Sequence, residues 1–203
     1  ATDEDQSVVI TLSGSDIDGD NLIFNLDSDA TNGSAMIDGT LATYTPNADF
    51  NGSDSFIFSI SDGYLSDEAS ITLTVDAVND APILTAVLDP SFDEDTIGTL
   101  SLSASDVDED SLTYSISEGT EILPLLNGSD ITFSTPLNFN GNEEFVVSVS
   151  DGELTDLQSI TVIVIPVNDS PIANAISDTT AEDKSAVITL TGSDVDGDNL
   201  TFS

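Results

Sequence analysis

This chain has no cysteine and no histidine, one basic residue, and no long apolar run. Without cysteine neither a disulfide framework nor a thiolate metal site can form, and zinc or copper would want histidine or cysteine. Lys184 stands against 39 acidic residues, so the net charge is −38. This charge repels nucleic acid and disfavours anionic membrane surfaces. No apolar run reaches the roughly 18 residues of a spanning helix, so we expect no membrane insertion in this segment.

The same absences argue against catalysis. There is no histidine for general-base chemistry and no cysteine nucleophile. A catalytic pair of carboxylates needs one acid in an apolar setting with a raised pKa. The acids here fall in loops and recur in every copy of a repeat. We therefore predict that the chain is not an enzyme.

An internal repeat with a period of roughly 89 residues organises the chain. The segment Ser15–Leu22 returns as Ser105–Leu112 and again as Ser193–Leu200. Between these copies, Asp76–Pro82 returns as Ile165–Pro171. A fixed period of this length indicates small domains in tandem. We predict repeat 1 at residues 1–80, repeat 2 at 81–169, and a truncated start of repeat 3 at 170–203.

Within each repeat the apolar residues alternate with polar ones, which is typical of half-buried strands. Asn51-Gly52 and Asp62-Gly63 are turn signals that separate such strands, and both recur in the second copy. About seven strands per repeat, with no helical stripe, indicate an immunoglobulin-like sandwich. We predict an all-β fold of tandem seven-stranded, immunoglobulin-like (cadherin-like) Greek-key sandwiches. The third copy is too short to bury a core, so we interpret the chain as a segment of a longer protein.

The predicted strands also place the acids. One strand, Val8–Leu12, separates Glu4 from Asp16. A strand of this length spans roughly 20 Å, so these two acids are expected at opposite ends of a domain. Asn79 and Asp80 follow the last strand, at the Glu4 end. Because the linkers are short, each junction is expected to collect one repeat's Glu end and the next repeat's Asp-x-Asp end.

At these residues the chain resembles cadherin repeats, and most closely the cadherin-like tandem repeats of large bacterial surface proteins. Phe92–Asp95 is similar to the family's Pro-Glu-Asn segment, and Asp106–Asp108 to its Asp-x-Asp loop. Ser150–Gly152 resembles its Asp-Gly turn, and Val78–Pro82 its Asn-Asp linker. In that family these four elements hold calcium between successive domains, and the ions stiffen the rod.

The resemblance implies calcium ligands at particular positions. The first junction would use Glu4, Asn79, Asp80, Asp106, Asp108 and Asp151. The second would use Glu94, Asn168, Asp169, Asp194 and Asp196, while Asp16, Asp18 and Asp62 would face a preceding domain. The family's Leu-Asp-x-Glu segment is poorly kept, since Asp49 stands in copy one and Asn138 in copy two. We therefore expect fewer ions per junction than in the vertebrate proteins.

The chemistry of the acids supports Ca2+ as the cofactor, because calcium takes six to eight oxygen ligands from carboxylates, carbonyls and water. The function that we predict is a calcium-rigidified extender segment of an extracellular, surface-attached or secreted bacterial adhesin, which serves cell adhesion mechanically. Its partners would be calcium and the neighbouring repeats. The alternative is a calcium-dependent module that binds polysaccharide or another surface protein, with Tyr64 as the loop aromatic to test. A third interpretation is that the acids only keep the protein soluble.

Overall fold

The computed structural model describes residues 1–203, which divide into two compact units: unit 1, Ala1–Asp80, and unit 2, Ala81–Ser203. The chain forms strands and connecting loops and no helix, and so contains no helix that could cross a membrane. The strands of unit 1 are β1 Thr2–Asp3, β2 Val8–Thr11, β3 Ile23–Ser28, β4 Gly33–Asp38, β5 Leu41–Pro46, β6 Gly52–Ser61 and β7 Ser66–Asp76. Those of unit 2 are β8 Ile83–Leu84, β9 Ser91–Asp93, β10 Gly98–Ser101, β11 Ala104–Ser105, β12 Thr113–Ile116, β13 Leu123–Asn127, β14 Asp130–Ser134, β15 Gly141–Ser150, β16 Thr155–Ile165, β17 Ile172–Ala173 and β18 Gly192–Ser193.

Unit 1 is a sandwich of two sheets. One sheet has the order β1-β7-β6-β3 and the other the order β2-β5-β4. Strand β1 pairs with β7 in parallel, with Thr2 opposite Val75, whereas the other pairs are antiparallel. This pairing brings the start of the unit beside the end of β7, so Glu4 lies next to the segment that follows Asp76. The backbone N–H of Glu4 donates to the Asp76 carbonyl at 2.9 Å.

Unit 2 repeats the architecture and adds short pairs. Its larger sheets have the orders β12-β15-β16-β9 and β10-β14-β13, and β9 pairs with β16 in parallel. The pair β8-β11 joins the segment after the linker to the strand that precedes Asp106. The pair β17-β18 belongs to the third copy, where Ile172 lies opposite Ser193.

The inward faces of the strands form one apolar core in each unit. Phe56 and Phe58 on β6 and Leu73 and Val75 on β7 are buried in unit 1, in the alternation that the sequence predicts. Their counterparts in unit 2 lie on β15 and β16. The predicted fold class, all-β immunoglobulin-like sandwiches in tandem, is confirmed. The division of residues 81–203 into a second and a third repeat stays a prediction.

Candidate cation sites at the repeat ends

Glu4 ties the start of unit 1 to its C-terminal segment. Its side chain is only 3% exposed, and Oε1 accepts a hydrogen bond from the backbone N–H of Val78 at 2.6 Å. Asn79 follows, and its side-chain nitrogen donates to the Asp80 carbonyl at 3.1 Å. Three residues of the predicted first calcium set, Glu4, Asn79 and Asp80, therefore belong to one end of unit 1.

Two further acids accompany Asp80 at this end. Carboxylate oxygens of Asp5, Asp49 and Asp80 all lie within 4.8 Å of one another. Asp5 and Asp49 have positive φ, 58° and 57°, a conformation in which Asp and Asn are enriched among non-glycine residues. The backbone N–H of Asp49 donates to Asp5 Oδ1 at 3.3 Å. Neither Asp5 nor Asp49 is in the predicted ligand set. Asp5 follows Glu4 directly, and Asp95 follows Glu94 directly in the second repeat. This recurrence is the signal that could have identified Asp5.

The same arrangement returns in unit 2. Glu94 is 3% exposed, and its Oε1 accepts the Val167 N–H at 2.7 Å. Its other oxygen, Oε2, accepts from the side chain of Asn140 at 3.2 Å. Asn168 donates from its side chain to the Asp169 carbonyl at 2.9 Å. Glu94, Asn168 and Asp169 of the second predicted set thus repeat the geometry of Glu4, Asn79 and Asp80.

Unit 2 also brings the third copy's loop to Asp169. The backbone N–H of Asp169 donates to Asp196 Oδ2 at 2.6 Å. Asp95, Asn138, Asp169 and Asp194 line one cavity of about 470 Å³, whereas Glu94 and Asn168 are not among its lining residues. Burial raises the pKa of the Asp169 carboxyl, and the negative charges of Asp196, Asp95, Glu94 and Asp194 raise it further. Three other residues of the second predicted set, Glu94, Asp194 and Asp196, therefore act electrostatically on Asp169.

The Asp-x-Asp loops have the same local structure in each copy, because the first aspartate orders its own loop. Asp16 Oδ1 accepts the backbone N–H groups of Asp18 at 2.8 Å and Asp20 at 3.2 Å. Asp106 and Asp194 make the corresponding two bonds in their copies. In each loop one carboxylate oxygen of the first aspartate is thereby committed to the backbone.

The donor set of this loop suits a hard cation. Carboxylate oxygens of Asp106, Asp108 and Asp110 lie within 4.8 Å of one another. Asp106 Oδ2 is buried and accepts no hydrogen bond. A buried carboxylate oxygen without a donor is costly unless a charge or a proton compensates it. Oxygen-only ligands at this spacing fit calcium better than zinc or copper, which prefer nitrogen or sulfur.

The Asp-Gly turns contain one more predicted residue in each unit. Asp62 Oδ1 accepts the N–H groups of Tyr64 and Leu65, both at 2.7 Å, and these bonds lower the pKa of Asp62. Asp151 accepts in the same way from Glu153 and Leu154 in unit 2. Asp16 and Asp62 line a common cavity of about 180 Å³ in unit 1, and Asp18 is not among its lining residues. Of the first predicted set, Asp106, Asp108 and Asp151 belong to unit 2.

Two other acids are structural, and the sequence pattern did not reveal them. Asp54 on β6 accepts hydrogen bonds from the N–H groups of Thr31 and Asn32, at 3.2 and 2.9 Å. Glu143 on β15 is its counterpart, and it accepts N–H groups of Thr120 and Ile122 at 2.6 and 2.9 Å. Asp54 thereby closes the loop between β3 and β4, and Glu143 closes the loop between β12 and β13. Their donors are already supplied by the chain, so we do not count them among cation ligands.

Seven-stranded sandwiches in tandem, with acid-rich loops at their ends, define an immunoglobulin-like repeat protein. The chain belongs to the bacterial Ig domain family, whose model matches residues 1–74 and 79–163. The predicted resemblance to a cadherin-like bacterial tandem repeat is thus confirmed at the level of fold and family. Family and fold indicate a tandem array of immunoglobulin-like repeat modules. No curated protein is significantly similar in sequence to this chain.

Solved structures agree on the fold. Human protocadherin-24 EC1-2 is 18% identical, with a TM-score of 0.52, over 78% of this chain and 88% of that one. Drosophila N-cadherin EC1-4 is 13% identical, with a TM-score of 0.50, over 92% of this chain and 53% of that one. An endo-fucoidan hydrolase from glycoside hydrolase family 107 is 24% identical at a TM-score of 0.35, and the match spans only 27% of the enzyme. The cadherin structures show the fold alone.

Proposed function

We propose that this chain is a calcium-stiffened extender segment of a bacterial surface or secreted adhesin, and that its work in cell adhesion is mechanical. The observation that carries the proposal is the convergence of acids around Asp169 in unit 2. Asp95 and Asp194 line the same cavity as Asp169, and Asp196 accepts its backbone N–H. Like charges so close together repel. Since the chain has one basic residue against 39 acids, the compensating charge must come from outside it.

Calcium is the cation that we propose. Magnesium keeps several of its waters and demands near-ideal octahedral geometry, whereas calcium accepts irregular sets of carboxylates, carbonyls and water. The residues that would hold it in unit 2 are Glu94, Asn168, Asp169, Asp194, Asp196, Asp106, Asp108 and Asp151. Those in unit 1 are Glu4, Asn79, Asp80, Asp16, Asp18 and Asp62, to which the structure suggests adding Asp5 and Asp49 because their oxygens lie within 4.8 Å of Asp80.

Stiffening would follow from where these residues stand in the chain. Asp169 belongs to the segment that follows β16, Glu94 precedes β10, and Asp194 and Asp196 follow β18. An ion shared among them would bind a linker, a sandwich end and the next copy's loop at once. When the ion is removed, repulsion of Asp194 and Asp196 from Asp169 favours separation, so the next copy's loop would move more freely.

The setting that we propose is extracellular, at the surface or secreted. The partners that we propose are calcium and neighbouring repeats, with polysaccharide or another surface protein as the target of the parent protein. One observation favours direct polysaccharide binding as a second candidate: Tyr64 is 94% exposed in the loop after Asp62. An exposed aromatic ring is a common platform for a sugar, but repeat 2 has Glu153 at the same position.

Small-angle scattering of the full chain, in calcium chloride and in a chelator, tests the extender function. We expect a larger maximum dimension in calcium, with calcium binding detected by calorimetry in parallel. Amide hydrogen exchange in the sandwich cores should be unchanged by the chelator, since those cores depend on apolar packing rather than on ions.

A charge-matched pair of variants controls for the large net charge. Asp106→Asn with Asp108→Asn removes two carboxylates from the proposed site, and we expect weaker calcium binding and a smaller change in dimension. Glu68→Gln with Glu118→Gln removes two exposed acids outside it and should behave like the parent chain. Identical scattering in calcium and in chelator, or equal effects of the two double variants, would contradict the proposal.

A further inference from the structure

Two equivalent places in the repeats differ by one side chain. In unit 1, the set Asp5, Asp49 and Asp80 consists of three carboxylates with oxygens within 4.8 Å of one another. In unit 2, Asp95 and Asp169 occupy the places of Asp5 and Asp80, but Asn138 stands where unit 1 has Asp49. Both places belong to repeats of the same fold within one chain, so their surroundings are nearly the same.

The backbone is the same at both places. Asn138 has φ 58° and Asp49 has φ 57°. The residues that accept their N–H groups, Asp95 and Asp5, have φ 62° and 58°. The Asn138 N–H donates to Asp95 Oδ1 at 2.8 Å, as the Asp49 N–H does to Asp5 Oδ1 at 3.3 Å. The difference between the repeats therefore lies in the side chain at this position and not in the path of the chain.

The amide side chain of Asn138 can donate hydrogen bonds to the neighbouring carboxylates. With its NH2 group turned toward the acids, the nitrogen donates to Asp95 Oδ2 at 3.3 Å and to Asp169 Oδ2 at 3.2 Å. A carboxylate at this position has no hydrogen to donate when it is ionised, whereas an amide has two. Hydrogen bonds to ionised acceptors are stronger than bonds between neutral groups. One amide thus joins two carboxylates that would otherwise repel each other.

We propose that Asn138 is a built-in substitute for a cation: its amide bridges Asp95 and Asp169 and fastens the segment after β16 to unit 2 without any ion. Asp49 supplies no such donor in unit 1. The bridge does not depend on calcium. In a chelator, the segment Val167–Asp169 should therefore stay ordered while Val78–Asp80 loosens. This consequence for calcium rests on the proposed function.

The bridge is tested on the full chain in a chelator, by amide hydrogen exchange measured with NMR. The reporters are the N–H groups of Val167, which donates to Glu94, and of Asp169, which donates to Asp196. Asn138→Asp should speed exchange of both amides by about tenfold, the factor that one ordinary hydrogen bond is worth. The reverse change, Asp49→Asn, should slow exchange of Val78 in unit 1, because it creates the missing donor.

Two further variants keep the result decisive. Asn142→Asp adds the same charge at an exposed position of β15 and should leave both reporters unchanged. Asn138→Gly removes the amide but retains the positive φ, so it should mimic Asn138→Asp even if the added charge of that variant disturbs the repeat. Exchange of the core amide of Val162 shows that the sandwich is intact.

The outcomes separate this inference from the proposed function. If Asn138→Asp and Asn138→Gly leave Val167 and Asp169 as protected as in the parent chain, the bridge is wrong, whatever calcium does. If the chelator results are as expected but added calcium chloride changes neither exchange nor scattering, the bridge stands and the calcium-stiffened extender is wrong.

Discussion

The buried carboxylate of Asp54 gives the sharpest prediction about stability. Its side chain is 6% exposed and accepts the N–H groups of Thr31, Asn32 and Ser55 and the hydroxyl of Tyr44, the last at 2.9 Å. Burial alone would raise the pKa of Asp54, but these donors outweigh it and lower that pKa. Burial, with the hydrogen bond to Asp54, raises the pKa of Tyr44 to about 12. The ionised carboxylate and the neutral phenol are therefore the forms that stabilise the fold.

The expected cost of Asp54→Ala follows from these contacts. The change leaves the donors in the buried region without an acceptor, and breaking a buried charged network typically costs about 3–5 kcal/mol. A unit of 80 residues has a free energy of unfolding of about 4–12 kcal/mol, so this loss would be a large part of it. Tyr44→Phe removes one donor to a charged acceptor and should cost about 1.5–3 kcal/mol.

A double-mutant cycle in urea measures the coupling. Tyr44→Phe should cost much less in an Asp54→Asn background than in the parent chain, because the charged acceptor is already gone. Unit 2 is the internal reference, since it has Phe133 at the place of Tyr44 and Glu143 at that of Asp54. Hydrogen exchange assigns each unfolding transition to its unit. The reasoning fails if Asp54→Ala costs less than about 1 kcal/mol, or if the two substitutions are simply additive.

Two more predictions concern unit 2. Burial alone would raise the pKa of Glu143, but bonds from the Thr120 hydroxyl and the N–H groups of Ile122, Thr120 and Glu121 lower it from 4.5 to about 2. A carboxyl group whose pKa is lower in the folded state stabilises the fold at pH values above its unfolded pKa. We therefore expect the free energy of unfolding to fall by up to about 3 kcal/mol, less solvent screening, as the pH falls from about 4.5 to about 2. Glu143→Gln should flatten this dependence in thermal unfolding, and an unchanged slope would contradict it. Glu109→Gly should stabilise unit 2 by up to about 1 kcal/mol, because Glu109 has φ 62° where Gly19 has φ 82°; Gly19→Ala, the opposite change, should destabilise unit 1 in the same calorimetric assay.

Much of the fold followed from periodicity alone. The alternation at Phe56–Ile60 and Ile71–Val75 predicts the inward faces of β6 and β7, and the structure buries Phe56, Phe58, Leu73 and Val75 as expected. Tyr44, which falls within a strand pattern, is fully buried, and Tyr64, which follows a turn signal, is exposed. Side-chain period and turn chemistry are local properties, so they can be interpreted without knowledge of the partners.

The roles of the individual acidic residues were harder to predict from the sequence. Asp54 and Glu143 lie on strands where an acid ordinarily indicates a solvated face, and nothing local shows that loop N–H groups will surround them. Asp5 and Asp49 are far apart in sequence, and Asp5 meets Asp80 because β1 pairs in parallel beside the end of β7. The bridging role of Asn138 depends on distances of 3.2 and 3.3 Å to two carboxylates, which no spacing rule supplies.

The acidic residues of this chain fall into two groups, according to whether hydrogen bonds from the protein compensate their charge. Asp54 and Glu143 receive several hydrogen bonds from their own sandwich, so their charges are compensated whether or not salt or calcium is present. Asp169 lies among other acids, and burial and their negative charges raise its pKa. The sandwiches should therefore keep their structure when divalent ions are removed, while the segment Val78–Asp80 and the acidic loop of the third copy respond. In a chain with 39 acids and one base, the distribution of hydrogen-bond donors thus separates the acids that the sandwiches compensate from those at the repeat ends.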